Sequence, residues 1–326
     1  MNNKPTELRK DLISNEWVIV SPKRGERPNN FKKNNICPFC DIKDQESPKH
    51  YFYKGVETKN SKKWTTVILP NKYPVFKKDS NYQKDIEDKF YTKVKCSGFH
   101  DLIVTKEHDK FLSNLPISRI KEFFSAVQLS IKDYRKHKQI KQIAIFHNRG
   151  ERAGASQPHP HYQSITLPII EREFKNELSS FKKFNKKNKQ CLQCKINDIE
   201  LKINKRIIVE NEHFIAFCPF APKTLFQIIV SPKRHFSSFE EATEEEKESL
   251  AKIFKVVLGK YDRGFKNLNY NFFLHNAPLD KPYPYFHCYW SFFPRVDNFG
   301  GMEIGFGLEI SSLLPEDQAE FLRKIK

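Results

Sequence analysis

One order of motifs occurs twice along the 326 residues. The first pass runs Cys37-Pro38-Phe39-Cys40, then Asn71-Lys72-Tyr73-Pro74-Val75-Phe76, then the strand-like Asp101–Thr105 ending near His108. An amphipathic helix follows, then the strand Ile143–Asn148 and the motif His159-Pro160-His161. The second pass runs Cys191-Leu192-Gln193-Cys194, then Asn211–Phe217, then Gln227–Val230 ending near His235. A second helix, the strand Asn271–Asn276 and Phe286-His287-Cys288-Tyr289 complete it, so that Ile143–Asn148 answers Asn271–Asn276. A repeat at this scale restricts the fold to two copies of one supersecondary unit. The helices agree in detail. Ile120, Phe123, Phe124 and Val127 stand at i, i+3, i+4 and i+7, as do Leu250, Ile253, Phe254 and Val257, and each set makes one apolar stripe. Thr243 with Glu246 has the spacing of a capping box.

Short strands at hairpin spacing around one helix per half predict an α+β fold, in which a helix packs on a mostly antiparallel sheet. The expected units are 1–180 and 181–326, divided in the lysine-rich, aperiodic stretch Phe181–Gln190. Hydrophobic residues make up 38% and aromatic residues 13% of the chain, enough apolar material for a core in each unit. No apolar run approaches the roughly 20 residues of a membrane span, and Met1–Lys10 lacks the apolar core of a signal peptide. The expectation is a cytoplasmic protein without a membrane partner.

The seven cysteines are an odd number, which argues against a disulfide framework. Four of them form two Cys-x-x-Cys knuckles, and zinc favours four thiolate or imidazole ligands. Each half also supplies a histidine at a strand end and another in its late motif. The predicted ligand sets are Cys37, Cys40, His108 and His159, and Cys191, Cys194, His235 and His287. With all four positions filled by protein, such sites are structural. Cys96, Cys218 and Cys288 are left as buried apolar residues.

Aligning the late motifs sets His159 against His287, His161 against Tyr289 and Gln163 against Ser291. Both halves keep the ligand histidine, whereas the second imidazole occurs only in the first. The difference points to His161 as the reactive group. A neutral imidazole attacks phosphorus to form a phosphoramidate, provided that its tautomer is set by a bond from the other ring nitrogen. Donors are also needed for the charge that grows on the phosphoryl oxygens. Gln163, Ser156 and Asn148 are neutral donors in the same motif, and Arg24 and Arg27 are candidates for gripping phosphate. The net charge of +18 invites a nucleic-acid reading. The lysines are nevertheless spread along the whole chain, as an AT-rich codon pool would spread them. A basic zinc-knuckle protein bound to nucleic acid would explain neither His161 nor Gln163.

In this order, Glu16–Arg24, Cys37–Cys40, Asn71–Pro74, Gly154–Ser156, His159–Gln163, Gly300–Gly307 and Pro315-Glu316 resemble the galactose-1-phosphate uridylyltransferase family. That family is a branch of the histidine-triad superfamily that includes ADP-glucose phosphorylase. The resemblance implies a dimer of tandem histidine-triad-like units and a two-step transfer. His161 takes a nucleoside monophosphate from a nucleotide sugar and passes it to a sugar 1-phosphate. By the same resemblance Gln163 holds the transferred phosphoryl group, and Arg24, Arg27, Asn148 and Ser156 contact phosphates. Asn71 lies near the nucleoside, and Glu303 reaches the sugar phosphate in the partner subunit's site. Departures from the family pattern are Tyr162 where a small residue is usual, Lys72 where one branch carries an acid, and the lysine-free Val296–Phe299. A bulky Tyr162 beside the nucleophile is expected to narrow the site or to change the acceptor. The second knuckle and Phe286–Tyr289 look closer to the ADP-glucose phosphorylase branch.

Overall fold

A computed structural model describes residues 6–22, 37–76, 83–87, 90–95 and 97–326. Arg24, Arg27 and Cys96 therefore lie outside the described residues. The first part of the chain forms β1 (Glu7–Lys10), β2 (Trp17–Val20), β3 (His50–Tyr53), β4 (Val56–Thr58), β5 (Thr66–Pro70), β6 (Gln83–Glu87), β7 (Tyr91–Lys95) and β8 (His100–Thr105). Next come α1 (Ile117–Arg135), β9 (Gln142–Arg149), β10 (His161–Leu167), α2 (Arg172–Asn188) and α3 (Leu192–Ile203). The rest forms β11 (Ile207–Glu210), β12 (Phe214–Phe217), β13 (Ile228–Pro232), α4 (Glu244–Gly264), β14 (Tyr270–His275), β15 (Tyr289–Pro294), α5 (Gly301–Phe306) and α6 (Pro315–Lys324).

Eleven strands form one sheet in the order β11-β12-β13-β15-β14-β9-β10-β8-β5-β3-β4. Read outward from the β14–β9 pair, the two directions repeat the same succession of strands, so the duplication reaches the topology. All strand pairs among the described residues are antiparallel. The halves share backbone bonds across the middle, with Asn271 opposite Asn148 and Phe273 opposite Phe146. A smaller sheet, β2-β1-β7-β6, shares a buried cluster with the large one through Leu8, Val94 and Ile165 of β10.

The two helices of the repeat, α1 and α4, lie on one face of the large sheet. Their apolar stripes meet there, with the Phe124 and Phe254 rings 4.8 Å apart and nearly perpendicular. Tyr162 from β10 packs on Phe123 at 4.3 Å, and its counterpart Trp290 packs on Phe254 at 5.3 Å. Successive strand residues alternate between faces, so His161 and Gln163 point away from the helices. Tyr162 is therefore buried behind β10, on the face opposite His161, and does not narrow the space beside that ring, contrary to the expectation from its bulk.

Two further expectations need correction. Most of the presumed aperiodic stretch 181–190 is helical, because α2 runs to Asn188. Its stripe of Phe174, Leu178 and Phe181 lies mostly upstream, where Glu171 caps it by accepting the Phe174 and Glu173 amides. The strands Ile143–Asn148 and Asn271–Asn276 also correspond one residue differently. Tyr162 pairs with His147 and Trp290 with Leu274, so Leu274 answers His147 and His275 answers Asn148. No helix among the described residues is long and apolar enough to cross a membrane.

Candidate active site

His161 is the first residue of β10, opposite Val104 of β8. Its ring is buried, and its Nδ1–H donates to the carbonyl of His159 at 2.9 Å. The proton is thereby placed on Nδ1 and the lone pair on Nε2, the tautomer that attack on phosphorus requires. His147 on β9 supports the same peptide from behind, with its Nδ1–H donating to the His161 carbonyl at 2.9 Å. Burial holds the pKa of His147 down to about 3, so the ring is neutral. Phe39, inside the first knuckle, lies 5.3 Å from the His161 ring and 5.8 Å from that of His159.

Gln163 is buried on the same face as His161, with its Oε1 3.2 Å from His100 Nε2. Asn71, just after β5, meets the same imidazole, with its Nδ2 3.1 Å from His100 Nε2. Asn148 lies at the end of β9, where its Oδ1 accepts from Asn271 at 2.8 Å. Beyond it, Gly150 and Gly154 have φ of +84° and +85°, the left-handed region that favours glycine. A Cβ on Gly150 would meet Asn269 Oδ1 at 1.9 Å. Ser156 lies farther along this loop, before His159. Glu303 is held elsewhere, in α5, where its carboxylate accepts the Gly300 and Ile310 amides. Among the described residues it has no hydrogen bond to the other predicted site residues. Lys72 points to Asp44, donating to its carbonyl.

Both predicted ligand sets gather. In each group the Sγ and ring nitrogen atoms lie within 4.8 Å of one another. Cys37 Sγ and Cys40 Sγ stand 3.4 and 3.7 Å from His159 Nδ1, and the two Nδ1 atoms of His108 and His159 are 3.3 Å apart. In the second group Cys191 and Cys194 stand 3.7 and 3.4 Å from His287 Nδ1, and Cys194 is 3.7 Å from His235 Nδ1. Metal–ligand bonds of about 2.0–2.3 Å in a tetrahedron have edges of about 3.3–3.8 Å, so the donors fit a metal of zinc's size. The far nitrogens support this. His159 Nε2–H donates to the Thr105 carbonyl, His235 Nε2–H to that of Pro284 and His287 Nε2–H to that of Pro232. These bonds turn each Nδ1 lone pair toward the thiols, as outer-shell partners of ligand histidines do. Burial and the adjacent Cys37 push the Cys40 thiol up to about 11; a cation between the sulfurs would reverse that.

In the second half, Tyr289 fills the place of His161. Its ring stacks on His275 at 4.1 Å and its hydroxyl donates to Glu177 at 2.8 Å. His275 bonds Glu177 and lies 3.2 Å from Ser291 Oγ. Sequence reasoning gave no role to His100, Phe39, His147 and Glu177: His100 and Glu177 stand outside the paired motifs, and Phe39 and His147 lie within them without a structural counterpart of their own kind. The available signal was strand alternation, which puts His100 on the face of Leu102 and Val104.

Tandem halves sharing one antiparallel sheet, with an imidazole on the face opposite α1 and α4, define a duplicated α+β scaffold with a polar site in its first half. Residues 2–170 match the N-terminal domain of galactose-1-phosphate uridyl transferase, and residues 177–326 match its C-terminal domain. The chain belongs to this family and is a nucleotidyltransferase. It is 30% identical to the ADP-glucose phosphorylase of Arabidopsis thaliana, over 100% of this chain and 94% of that one. It is also 30% identical to the galactose-1-phosphate uridylyltransferase of Thermotoga maritima, over 98% of each. A solved uridylyltransferase structure superposes with a TM-score of 0.83 at 29% identity, covering 97% of both chains.

Proposed function

We propose that the enzyme moves a nucleoside monophosphate from a nucleotide sugar to a sugar 1-phosphate through a covalent nucleotidyl-His161, in the manner of a UDP-glucose–hexose-1-phosphate uridylyltransferase. One observation carries the proposal: the His161 Nδ1–H bond to the His159 carbonyl presents Nε2 as the nucleophile. In the first step Nε2 bonds to the α-phosphorus as the α–β phosphoanhydride bond breaks, and sugar 1-phosphate leaves. In the second, a phosphate oxygen of the acceptor attacks the same phosphorus and the P–N bond breaks. Charge gathers on the non-bridging oxygens in both steps, and preorganised donors lower the barrier there. The amide of Gln163 serves on the described face. Arg24, Arg27, Asn148 and Ser156 are assigned to the phosphates and Asn71 to the nucleoside, on the family resemblance.

Zinc in both Cys/His groups belongs to this proposal, since thiolate and imidazole donors in tetrahedral spacing suit it. Its contribution is to structure. Nδ1 of His159 is turned to the metal while its carbonyl fixes the His161 tautomer, so the first site holds the nucleophile's support. Residues 1–180 are the unit with the reactive imidazole, and residues 181–326 the unit that has lost it; the change-over lies within α2. A homodimer is part of the same proposal. Ile304, Phe306, Ile310 and Leu314 are 78%, 76%, 67% and 65% exposed, an apolar segment that a second copy would cover. Glu303 lies within it and would approach the sugar phosphate of the partner's site. Thiolate ligands need a reducing compartment, hence a cytoplasmic enzyme.

A second donor keeps the covalent step: an ADP-sugar, with phosphate as acceptor. Its support is the second Cys/His group, which the resemblance relates to the ADP-glucose phosphorylase branch, and the relative of that name at 30% identity. Intact-mass measurement after mixing with UDP-glucose or ADP-glucose decides between them, because the added mass names the nucleotide. The expected result is one nucleotide per chain in the wild type and none in His161→Ala. An adduct that survives in His161→Ala, or no adduct with either sugar, overturns the proposal.

A further inference from the structure

His100 stands at the centre of the described part of the site without belonging to any motif. It is 3% exposed, on β8, on the same sheet face as Gln163. Its ring is met by the Val75 amide 3.0 Å from Nδ1, by Gln163 Oε1 3.2 Å from Nε2, and by Asn71 Nδ2 3.1 Å from Nε2, among other contacts. A backbone N–H only donates, so Nδ1 is an acceptor and the proton of the neutral ring resides on Nε2. That proton has one acceptor of the two groups near it. Asn71 Oδ1 already accepts the Tyr73 amide at 2.9 Å, which turns the NH2 of Asn71 toward the ring. The Asn71 NH2, itself a donor, cannot accept that proton, and Nε2–H donates to Gln163 Oε1.

An amide side chain can be held in either of two orientations, and a phosphate can be bonded only by its NH2 end. We infer that His100 is the positioning residue for Gln163. By occupying Oε1 it directs both Nε2 hydrogens of Gln163 away from β8, toward the transferred phosphoryl group. The same ring accepts from Val75, and the His100 carbonyl accepts the Asn71 amide at 2.8 Å. One residue therefore ties the phosphoryl donor to the 71–75 loop. The inference rests on the role of Gln163 proposed above.

The test is a double-mutant cycle read in a single turnover, as the rate at which nucleotidyl-His161 appears with whichever of UDP-glucose and ADP-glucose adds mass to the wild type. His100→Leu is expected to slow this step roughly tenfold to a hundredfold, with apparent affinity for the donor within about threefold and metal content unchanged. In the Gln163→Ala background the same substitution should add no further loss, since coupled residues are not additive. His100→Gln, which keeps a donor near Nε2, should recover most of the rate. If His100→Leu does not fold, His100→Glu takes its place, because a carboxylate can only accept and would draw the Gln163 NH2 toward itself. Losses that multiply, or an unchanged rate in His100→Leu or its substitute, overturn the role of His100. A Gln163→Ala enzyme as fast as the wild type overturns the underlying role of Gln163 instead, and absence of any adduct overturns that of His161.

Discussion

His147 supports the His161 peptide from the core side, and its surroundings make it a source of acid sensitivity. Its ring packs among those of Tyr162, Phe272 and Phe111, and burial is the main reason that its pKa lies near 3 rather than 6.5. An unfolded chain takes up a proton there below about pH 6.5, whereas the folded protein refuses it until about pH 3. The unfolded state binds more protons across that window, so stability is full above pH 6.5 and falls as the pH drops toward 3. The expected loss from this one group is on the order of a few kcal/mol. Denaturant midpoints measured from pH 7 to pH 4 should fall less steeply in His147→Gln than in the wild type; parallel curves would refute the assignment. That the two Cys/His sets gather was legible from residue type and spacing. His147 and His100 were not, because an isolated histidine acquires meaning only from what a neighbouring strand sets against it.

The two repeated helices were the most legible elements, since a stripe at helical spacing is a local property. Both α1 and α4 bury the expected residues, and the capping box of α4 forms, with the Glu246 amide donating to Thr243 Oγ1 at 3.2 Å and the Thr243 amide to Glu246 at 2.8 Å. Thr243→Ala should cost about 1 kcal/mol. Phe124→Ala, which empties the space between the helices, should cost about 3–5 kcal/mol. Thermal or urea unfolding should rank them in that order, and equal losses would mean that the cap is coupled to more than its own helix. The helix α2 was less legible. Its apolar positions fall near its start, and the lysines after Phe181 carry no period of their own. The repeated strands were located correctly but slipped by one residue, because His147 and His275 look alike in sequence while facing opposite sides of the sheet.

For the molecule as a whole, the two Cys/His groups are equivalent in composition but not in consequence. The first shares His159 with the support of His161; the second adjoins a half in which Tyr289 has replaced the imidazole. His159→Ala and His287→Ala should each lower the metal content from two ions per chain toward one and reduce stability, by an amount on the order of several kcal/mol. Only His159→Ala should also suppress the nucleotidyl adduct. Equal adduct formation in both variants, with metal content measured alongside, would sever the link between the first site and the chemistry. The chain by itself determined the duplication, the helices, the ligand types and the lone imidazole, because these depend on residue identity and spacing over short distances. Only the tertiary structure decided which face each strand residue occupies, that Tyr162 lies behind the site rather than in it, and that His100 meets Gln163. Those outcomes depend on strand register, which is settled by pairing and packing between segments far apart in the chain.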